Sequence, residues 1–512
     1  MKAYTPANMR AADKYAIETL KIPGVVLMDR AADALLAALS DYIGKGKKYV
    51  VLCGKGNNGG DGYALSVKLS EMFENTVCIS LFGKPESSDA RHFFALCERC
   101  CDRALPLSLL DAGKDYSLCI ENIKSADVII DAVFGTGFSG KIDAGSICAE
   151  LIALSNKCGC AKLSADIPSG ACALSGCISK NTFRADVTVT FAKSKVGMFS
   201  YPAREYCGKI VIADIGIPDS VFECFENKYE ISDADTVREY IPKRYANSNK
   251  GTYGKTLIYA GSGNMTGAAQ LACMGALRLG TGLVCMASEP CVLDVLKCRV
   301  SEPVFYPVGN SDTDTDRLIQ YANKCSAVLI GCGLGCSEEV KKRVCRMIKE
   351  CDVPIILDAD GINVISDNIN ILSEAKSGII LTPHPLEFSR ISGYTVSEIC
   401  ENRMECACSF SKEYGCTLLL KGAGTVICEK GSRVCINTSG SSALSKGGSG
   451  DVLAGMIASL VSQGASLYES AVCAAYIHGA AAKRLSEQFS EYGVLPSEIP
   501  ENAARVLADI LR

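Results

Sequence analysis

The stretch Cys53-Gly54-Lys55-Gly56-Asn57-Asn58-Gly59-Gly60-Asp61-Gly62 contains a literal G-x-G-x-x-G at Gly54, Gly56 and Gly59, together with two amides and a carboxylate. It follows an apolar run and opens a helical pattern. The glycines alone suggest a dinucleotide pyrophosphate at a helix N-terminus. An ordinary nicotinamide-dinucleotide fingerprint also ends the next strand in an acid that binds the ribose. Here that stretch, Thr76 to Phe82, runs into Gly83 without a carboxylate. Asn57, Asn58 and Asp61 suit a hard cation or a polyhydroxylated ligand. Two more strand ends are similar: Val128-Ile129-Ile130-Asp131 leads to Phe134-Gly135-Thr136-Gly137, and Leu163-Ser164-Ala165-Asp166 leads to Ile167-Pro168-Ser169-Gly170. Each could be a plain tight turn or a helix cap. Together they deliver Asn58, Asp131, Asp166 and Ser169 to one sheet edge, where open α/β sheets bind ligands.

A second constellation is Lys446-Gly447-Gly448-Ser449-Gly450-Asp451, small residues leading into a helix. Consecutive N–H groups there form an anion hole for phosphate, and Asp451 is placed to take a proton from a neighbouring hydroxyl. A simple helix cap is the competing reading, but three glycines cost more chain entropy than a cap requires. No Walker A pattern occurs. Supporting pieces end other strands: Gly261-Ser262-Gly263 with Gly267-Ala268, Gly331-Cys332-Gly333-Leu334-Gly335, Asp358-Ala359-Asp360, Thr382-Pro383-His384-Pro385 and Lys421-Gly422-Ala423-Gly424-Thr425. His384, fixed between prolines, reads as functional; His92 and His478 read as structural.

These residues need a scaffold of alternating strands and helices. Strands are expected at Lys48 to Cys53, Thr76 to Phe82, Ala126 to Ile130, Ala161 to Ile167, Val187 to Phe191 and Lys209 to Ala213, with a helix over Asp61 to Glu74. Around residues 218–242 charge and turn residues interrupt the pattern, which places a boundary between domains 1–226 and 227–512. The second domain is expected to carry strands Thr256 to Ala260, Leu283 to Ala287, Ala327 to Ile330, Ile355 to Leu357 and Gly378 to Leu381. A helix over Gly267 to Leu279, a hairpin-like stretch from Thr417 to Ile436 and a helix from Asp451 complete it. The expected class is α/β, with two doubly wound domains.

Composition narrows the function. The chain has 512 residues, 48% hydrophobic and 21% charged, with a net charge of −4. That balance argues against nucleic acid as a partner. No apolar run reaches the roughly 18 residues of a membrane span, and Met1 to Pro6 lacks a secretory core, so no membrane partner and a cytoplasmic location are expected. The 29 cysteines are an odd, scattered set. Most occupy positions where Ala or Val would serve, as core thiols of a reducing compartment. Cys97-x-x-Cys100-Cys101 has no matching second pair for a metal.

Together with Leu27-Met28-Asp29-Arg30-Ala31 and Asp214-Ile215-Gly216-Ile217-Pro218, these motifs resemble the bifunctional NAD(P)H-hydrate repair enzymes over nearly the whole chain. That family fuses an NAD(P)HX epimerase to a ribokinase-like dehydratase. The resemblance implies that Asn57, Asn58, Gly59, Gly60, Asp61, Gly135, Thr136, Gly137, Phe138, Ser139, Gly140, Lys141 and Asp166 bind the hydrate. It implies a K⁺ ion on Asn58, Asp131 and Ser169. In the second domain Ala268, Gly333, Gly335, His384 and Asp451 would contact the hydrate. Lys421, Gly422, Ala423, Gly424, Thr425, Gly448 and Gly450 would hold ADP, which brings Mg²⁺. Asp451 is the expected base, and Asp166 the expected acid/base group of epimerisation. The small-molecule partners are then NADHX or NADPHX and ADP, and a homo-oligomer is expected. Two departures stand out. Leu386 replaces a glycine before Glu387, and Ser441 replaces an asparagine after Gly440.

Three rival readings predict different behaviour. A kinase of a small hydroxylated metabolite would accumulate a phosphorylated product. An NAD(P)-dependent oxidoreductase would transfer hydride. A first domain that only binds would leave epimerisation unchanged in Asp166→Asn.

Overall fold

The protein, described from a computed structural model at every residue except Lys45, Lys47, Phe73 and Ala104, divides into two compact units, Lys2–Asn227 and Lys228–Arg512. Phe73, in the last turn of one expected helix, lies outside the described residues.

The first unit is built on seven strands: β1 (Lys48–Cys53), β2 (Asn75–Ser80), β3 (Leu107–Asp111), β4 (Val128–Ala132), β5 (Ala161–Ala165), β6 (Val187–Phe191) and β7 (Lys209–Ala213). They form an all-parallel sheet in the order β3-β2-β1-β4-β5-β6-β7. Alternation along β1 explains the two cores. Tyr49, Val51 and Cys53 enter a cluster with Leu35 and Leu65, while Val50 and Leu52 enter one with Ile123 and Ile152. Helices thus cover both faces, and near-continuous apolar strands follow. The chain reverses direction across the sheet between β1 and β4, and this switch point opens a crevice beyond the strands' carboxyl ends. The helix from β1 begins at Asn57 and ends at Glu71, so it starts four residues before the expected Asp61 and takes Asn58 into its first turn.

The second unit adds β8 (Tyr229–Ile231), β9 (Lys255–Tyr259), β10 (Leu283–Ser288), β11 (Val304–Pro307), β12 (Ala327–Ile330), β13 (Ile355–Leu357), β14 (Ile379–Leu381), β15 (Thr417–Leu420), β16 (Thr425–Glu429) and β17 (Arg433–Asn437). Their order is β11-β10-β9-β12-β13-β14-β15-β16-β17-β8. Parallel pairing runs from β11 to β15, and β15, β16 and β17 pair antiparallel. Its switch point lies between β9 and β12. Helices Thr266–Arg278 and Ser449–Ser462 pack on this sheet through Ala272, Ala276, Val452 and Met456. All 29 cysteines are free thiols, most of them buried or half-buried. Among the described residues no helix is long and apolar enough to cross a membrane.

Candidate active sites

In the first unit the ends of β1, β4 and β5 converge. A methyl group on Gly54 would lie 1.9 Å from the Val133 carbonyl oxygen, and one on Gly59 would lie 1.9 Å from that of Gly54. These glycines are therefore needed for close backbone approach, whatever the loop binds. A methyl on Gly135 would sit 3.0 Å from Asp166 Oδ2 and 3.2 Å from Asn58 Cγ. Three strand ends predicted to share an edge are thus in contact range of one another.

Asp131, at the end of β4, is fully buried. Its Oδ2 accepts from the Ser169 N–H at 2.8 Å and Ser164 Oγ at 3.1 Å. Its Oδ1 accepts from Ser169 Oγ at 2.5 Å and the Val133 N–H at 3.3 Å. Burial pushes the carboxyl up to about 6, against the pull of these hydrogen bonds. No cation pairs with it among the described residues. Beside it, Asn58 is buried and neither its Oδ1 nor its Nδ2 has a protein partner, an arrangement that a folded chain tolerates only at a price unless something else binds there.

Asp166 follows β5 at φ +66°, a left-handed turn that Asp tolerates better than most residues. Its Oδ1 receives Lys195 Nζ at 2.5 Å, and its Oδ2 receives the Thr136 N–H and Oγ1–H, both at 2.9 Å. Lys195 is 1% exposed and its ammonium also donates to Thr190 Oγ1 at 2.8 Å and the Phe191 carbonyl at 2.9 Å. Burial works against the Asp166 charge, but the Lys195 ammonium and the Thr136 donors outweigh it and hold the carboxyl below its ordinary range. Asp61 behaves in the opposite way. It is buried, and burial, then the charges of Asp166 and Asp13, drive its carboxyl well above the usual range. Asn57, Gly137, Ser139, Gly140 and Lys141 are exposed, while Phe138 stacks against Phe134 with ring centres 4.8 Å apart.

In the second unit Gly448 sets the glycine-loop turn at φ +102°, where a side chain would be strained and would meet Leu271. The helix then starts at Ser449, with Asp451 in its first turn. A methyl on Gly450 would lie 3.2 Å from Lys421 Nζ, so this lysine from the end of β15 borders the loop. Lys421 pairs with Asp358 Oδ1 at 2.7 Å, and Thr382 Oγ1 donates to the same oxygen at 2.6 Å. Burial opposes the Lys421 charge, but the Asp358 and Glu387 carboxylates raise its pKa overall. Asp451 is lifted to about 6, by burial first and the Asp358 charge second, against the Cys332 thiol and the Lys421 ammonium. The carboxyl is therefore ionised, yet basic, near neutral pH. Gly333 packs against Ala268, and the Gly335 N–H donates to Asp360 Oδ2 at 2.8 Å. Arg403 binds the Lys421 and Ala423 carbonyls, and Thr425 Oγ1 donates to the Gly422 carbonyl at 2.9 Å.

His384 has a plain structural task. Its Nδ1 accepts from the Leu386 and Glu387 N–H groups, both at 3.2 Å, and caps helix Pro385–Ser392. Its Nε2 lies 3.4 Å from Oε1 of the buried Glu387. Leu386 is itself half-exposed.

Models of two protein families match the chain. One, described as the YjeF-related protein N-terminus, covers residues 24–197; the other, described as NAD(P)H-hydrate dehydratase, covers residues 256–505. The bifunctional NAD(P)H-hydrate repair enzyme Nnr of Moorella thermoacetica is 32% identical over 521 aligned positions, spanning 100% of this chain and 97% of that protein. The chain belongs to the bifunctional NAD(P)H-hydrate repair enzymes. The Coxiella burnetii enzyme of the same name is 31% identical over 97% of both chains. Among solved structures, an ADP/ATP-dependent NAD(P)H-hydrate dehydratase from Bacillus subtilis, co-crystallised with ATP and Mg²⁺, shares 31% identity, covering 55% of this chain and 98% of that one at a TM-score of 0.48.

Within this repair-enzyme framework the sequence reading passed over two groups, Lys195 and Cys332. Lys195 stands outside every strand-end motif, and its pairing with Tyr4 is a long-range bridge that the local sequence does not show. Cys332 was grouped with the filler cysteines, although it lies in a strand-end glycine loop. His478, read as structural, lies buried against the backbone of Ser449 with Nε2 unpartnered; burial lowers it to about 4, so it is neutral.

Proposed function

We propose that the first unit interconverts the R and S forms of NADHX and NADPHX, and that the second dehydrates the S form with ADP, giving NAD(P)H, AMP and phosphate. The observation that carries the dehydratase reading is the placement of Asp451 in the first turn after the glycine loop, beside Lys421. The C6 hydroxyl of the hydrate is a poor leaving group. Asp451 takes its proton as the oxygen attacks the β-phosphorus of ADP, and the P–O bond to AMP breaks. Lys421 and the N–H groups of Gly448 to Gly450 hold the charge on the transferred group. Loss of phosphate from C6 then leaves the reduced nicotinamide. Mg²⁺ brought by the nucleotide would offset the charge of its phosphates; the protein donors nearby include a thiol, which a hard cation does not use.

For the epimerase the geometry supports a division of labour. Asp166, with both oxygens engaged by Lys195 and Thr136, serves as a fixed anion. Asp61 retains a proton and acts as the acid. Asp61 protonates the departing C6 oxygen, the C–O bond breaks, and the Asp166 carboxylate stabilises the cationic ring. Water adds to the opposite face and releases a proton to solvent, and Asp61 regains its proton from the expelled water's side. K⁺ fits the Asn58, Asp131 and Ser169 cluster, because Asn58 Oδ1 lacks a partner and the buried Asp131 lacks a counter-charge. It would supply positive charge beside the bound hydrate.

The test follows the absorbance of reduced nicotinamide when protein, Mg²⁺, K⁺ and ADP or ATP are added to mixed R and S NADHX. Complete recovery of NADH supports both activities, and the faster nucleotide identifies the donor. Recovery that stalls when the S form is consumed removes the epimerase. No recovery with either nucleotide refutes the dehydratase.

A further inference from the structure

One side chain near Asp451 has no part in the reaction described. Cys332 is fully buried in the loop after β12, and its Sγ lies 3.6 Å from Asp358 Oδ2. Ligand atoms of Cys332, Asp358 and Asp451 all lie within 4.8 Å of one another, and among the described residues no other such trio of metal-binding side chains occurs. Asp358 divides its two oxygens. Oδ1 is engaged by Lys421 and Thr382, whereas Oδ2 faces the thiol.

The spacing matches a tetrahedral thiolate–carboxylate site. With sulfur about 2.3 Å and oxygen about 2.1 Å from zinc, the S···O edge of a tetrahedron is about 3.6 Å. The charges also match. Two carboxylates and the Lys421 ammonium leave one net negative charge while Cys332 is a thiol. A dication that displaces the thiol proton brings the cluster to neutrality, which relieves the buried charge. Mg²⁺ prefers oxygen in an octahedron and keeps its waters, so the thiol selects a softer ion.

We propose that Cys332, Asp358 and Asp451 form an inhibitory site for a thiophilic divalent cation, zinc(II) foremost, with water as the fourth ligand. Binding forms an S–Zn bond and releases the thiol proton to solvent, without any change of oxidation state. Asp451 then donates its lone pair to the metal and cannot accept the hydrate's proton. The inhibitory part rests on Asp451 being the dehydratase base; the metal site itself does not.

The test uses the full chain as wild type, Cys332→Ala and Cys332→Ser. Dehydration of S-NADHX with saturating ADP and Mg²⁺ is measured across buffered free zinc, each protein normalised to its own zinc-free rate. The expected result is inhibition of the wild type at zinc levels at least tenfold below those affecting either variant, reversed by a chelator, with epimerisation unaffected. In parallel, cobalt(II) is added and the thiolate charge-transfer absorption of Cys332→Ala is subtracted from that of the wild type, which cancels the other cysteines. A difference band that Asp451→Asn weakens supports the site. Equal zinc sensitivity in all three proteins, or no difference band, overturns the proposal. A zinc-free wild type that does not dehydrate the hydrate counts against the Asp451 reading instead, and the cobalt difference still decides the metal site.

Discussion

Replacing Lys195 by Met tests the charge clamp of the first unit. Met fills much of the lysine stem's volume and removes the ammonium that sits 2.5 Å from Asp166 Oδ1. Deleting one partner of a buried ion pair typically costs about 3–5 kcal/mol, because the remaining charge stays buried. The Thr136 N–H and Oγ1–H remain on Oδ2, which favours the lower end, about 3 kcal/mol. The sign of the pH dependence follows from the two carboxyl states. In the wild type the folded Asp166 carboxyl lies below its ordinary 3.8, so its stabilising contribution is present above that value and is lost as pH falls through the folded pKa. In Lys195→Met burial is no longer opposed by the ammonium, and the folded pKa rises above 3.8. The penalty is then small while Asp166 is protonated and grows as pH rises through the new pKa. A loss of 3 kcal/mol corresponds to about two pKa units at 1.36 kcal/mol each. Urea unfolding of the full chain, with the first unit's transition followed by loss of epimerisation, should show a variant penalty larger near pH 8 than near pH 5 by less than twofold, because a rise of about two units from below 3.8 is already more than half expressed at pH 5. Dehydration of pure S-NADHX is the internal control and should change little. Lys195→Arg, which keeps the charge, should recover part of both stability and rate. A penalty equal at both pH values, with Arg no better than Met, would show that Lys195 acts through packing alone and would refute the clamp.

Asp451→Asn should lower the dehydratase rate by about 10²- to 10⁴-fold and leave epimerisation intact, as read from each activity on resolved epimers. The same substitution should raise the melting temperature at alkaline pH more than at acidic pH. The folded pKa of about 6 stands above the ordinary 3.8, so the stability it lends is lost as pH rises through 6; an unchanged melting difference across that range would contradict the assignment. Wild-type dehydration should fall on the acid side of about pH 6 as Asp451 takes up its proton, seen in kcat against pH with the variant's residual rate flat. Asn58→Ala should abolish the potassium response of epimerisation while the protein melts within a few degrees of wild type; a retained response would remove Asn58 from the ion's ligands. Gly448→Ala places a side chain at φ +102° and should cost about 1–2 kcal/mol of local strain, read as weaker ADP binding by calorimetry.

What the sequence showed depended on the range of the interactions involved. Strands β1, β6, β7, β12 and β13 match their expected bounds to the residue, because each is an apolar run ending in a turn. Strand β3 was missed: Leu107-Ser108-Leu109-Leu110-Asp111 is only partly buried, at the sheet's edge, and its apolar signal is correspondingly weak. The convergence of Asn58, Asp131, Asp166 and Ser169 was legible because parallel strands deliver their carboxyl ends to one edge. The roles within that edge were not. Whether an aspartate is held ionised or kept protonated depends on what it meets, and Asp166 meets Lys195, which lies 29 residues further along the chain. His384, fixed between prolines, also caps helix Pro385–Ser392 through Nδ1, a task that only the fold reveals. Cys332 escaped notice because a thiol among 29 carries no information until its neighbours are known.

Asp166 and Asp451, the carboxylates proposed to carry the two reactions, are held in opposite ways. Both lie at a switch point of a parallel sheet, so topology does not distinguish them. Asp166 is saturated with donors, which lowers its affinity for a proton and suits a group that must remain charged while a ring becomes cationic. Asp451 is raised to about 6 by burial first and by the neighbouring Asp358 charge second, against the pull of the Cys332 thiol and the Lys421 ammonium, a range in which a carboxylate can both take and release a proton near neutral pH. Moving Lys195's counterpart onto Asp451 would extinguish the base; removing Lys195 from Asp166 would let the anion protonate. A single pocket could not keep one carboxylate below its ordinary range as a permanent anion and also use it as a base poised near neutrality, because the same donors set both properties. The contrast predicts that exchange of donor patterns, by Cys332→Lys beside Asp451, would abolish dehydration even where ADP still binds.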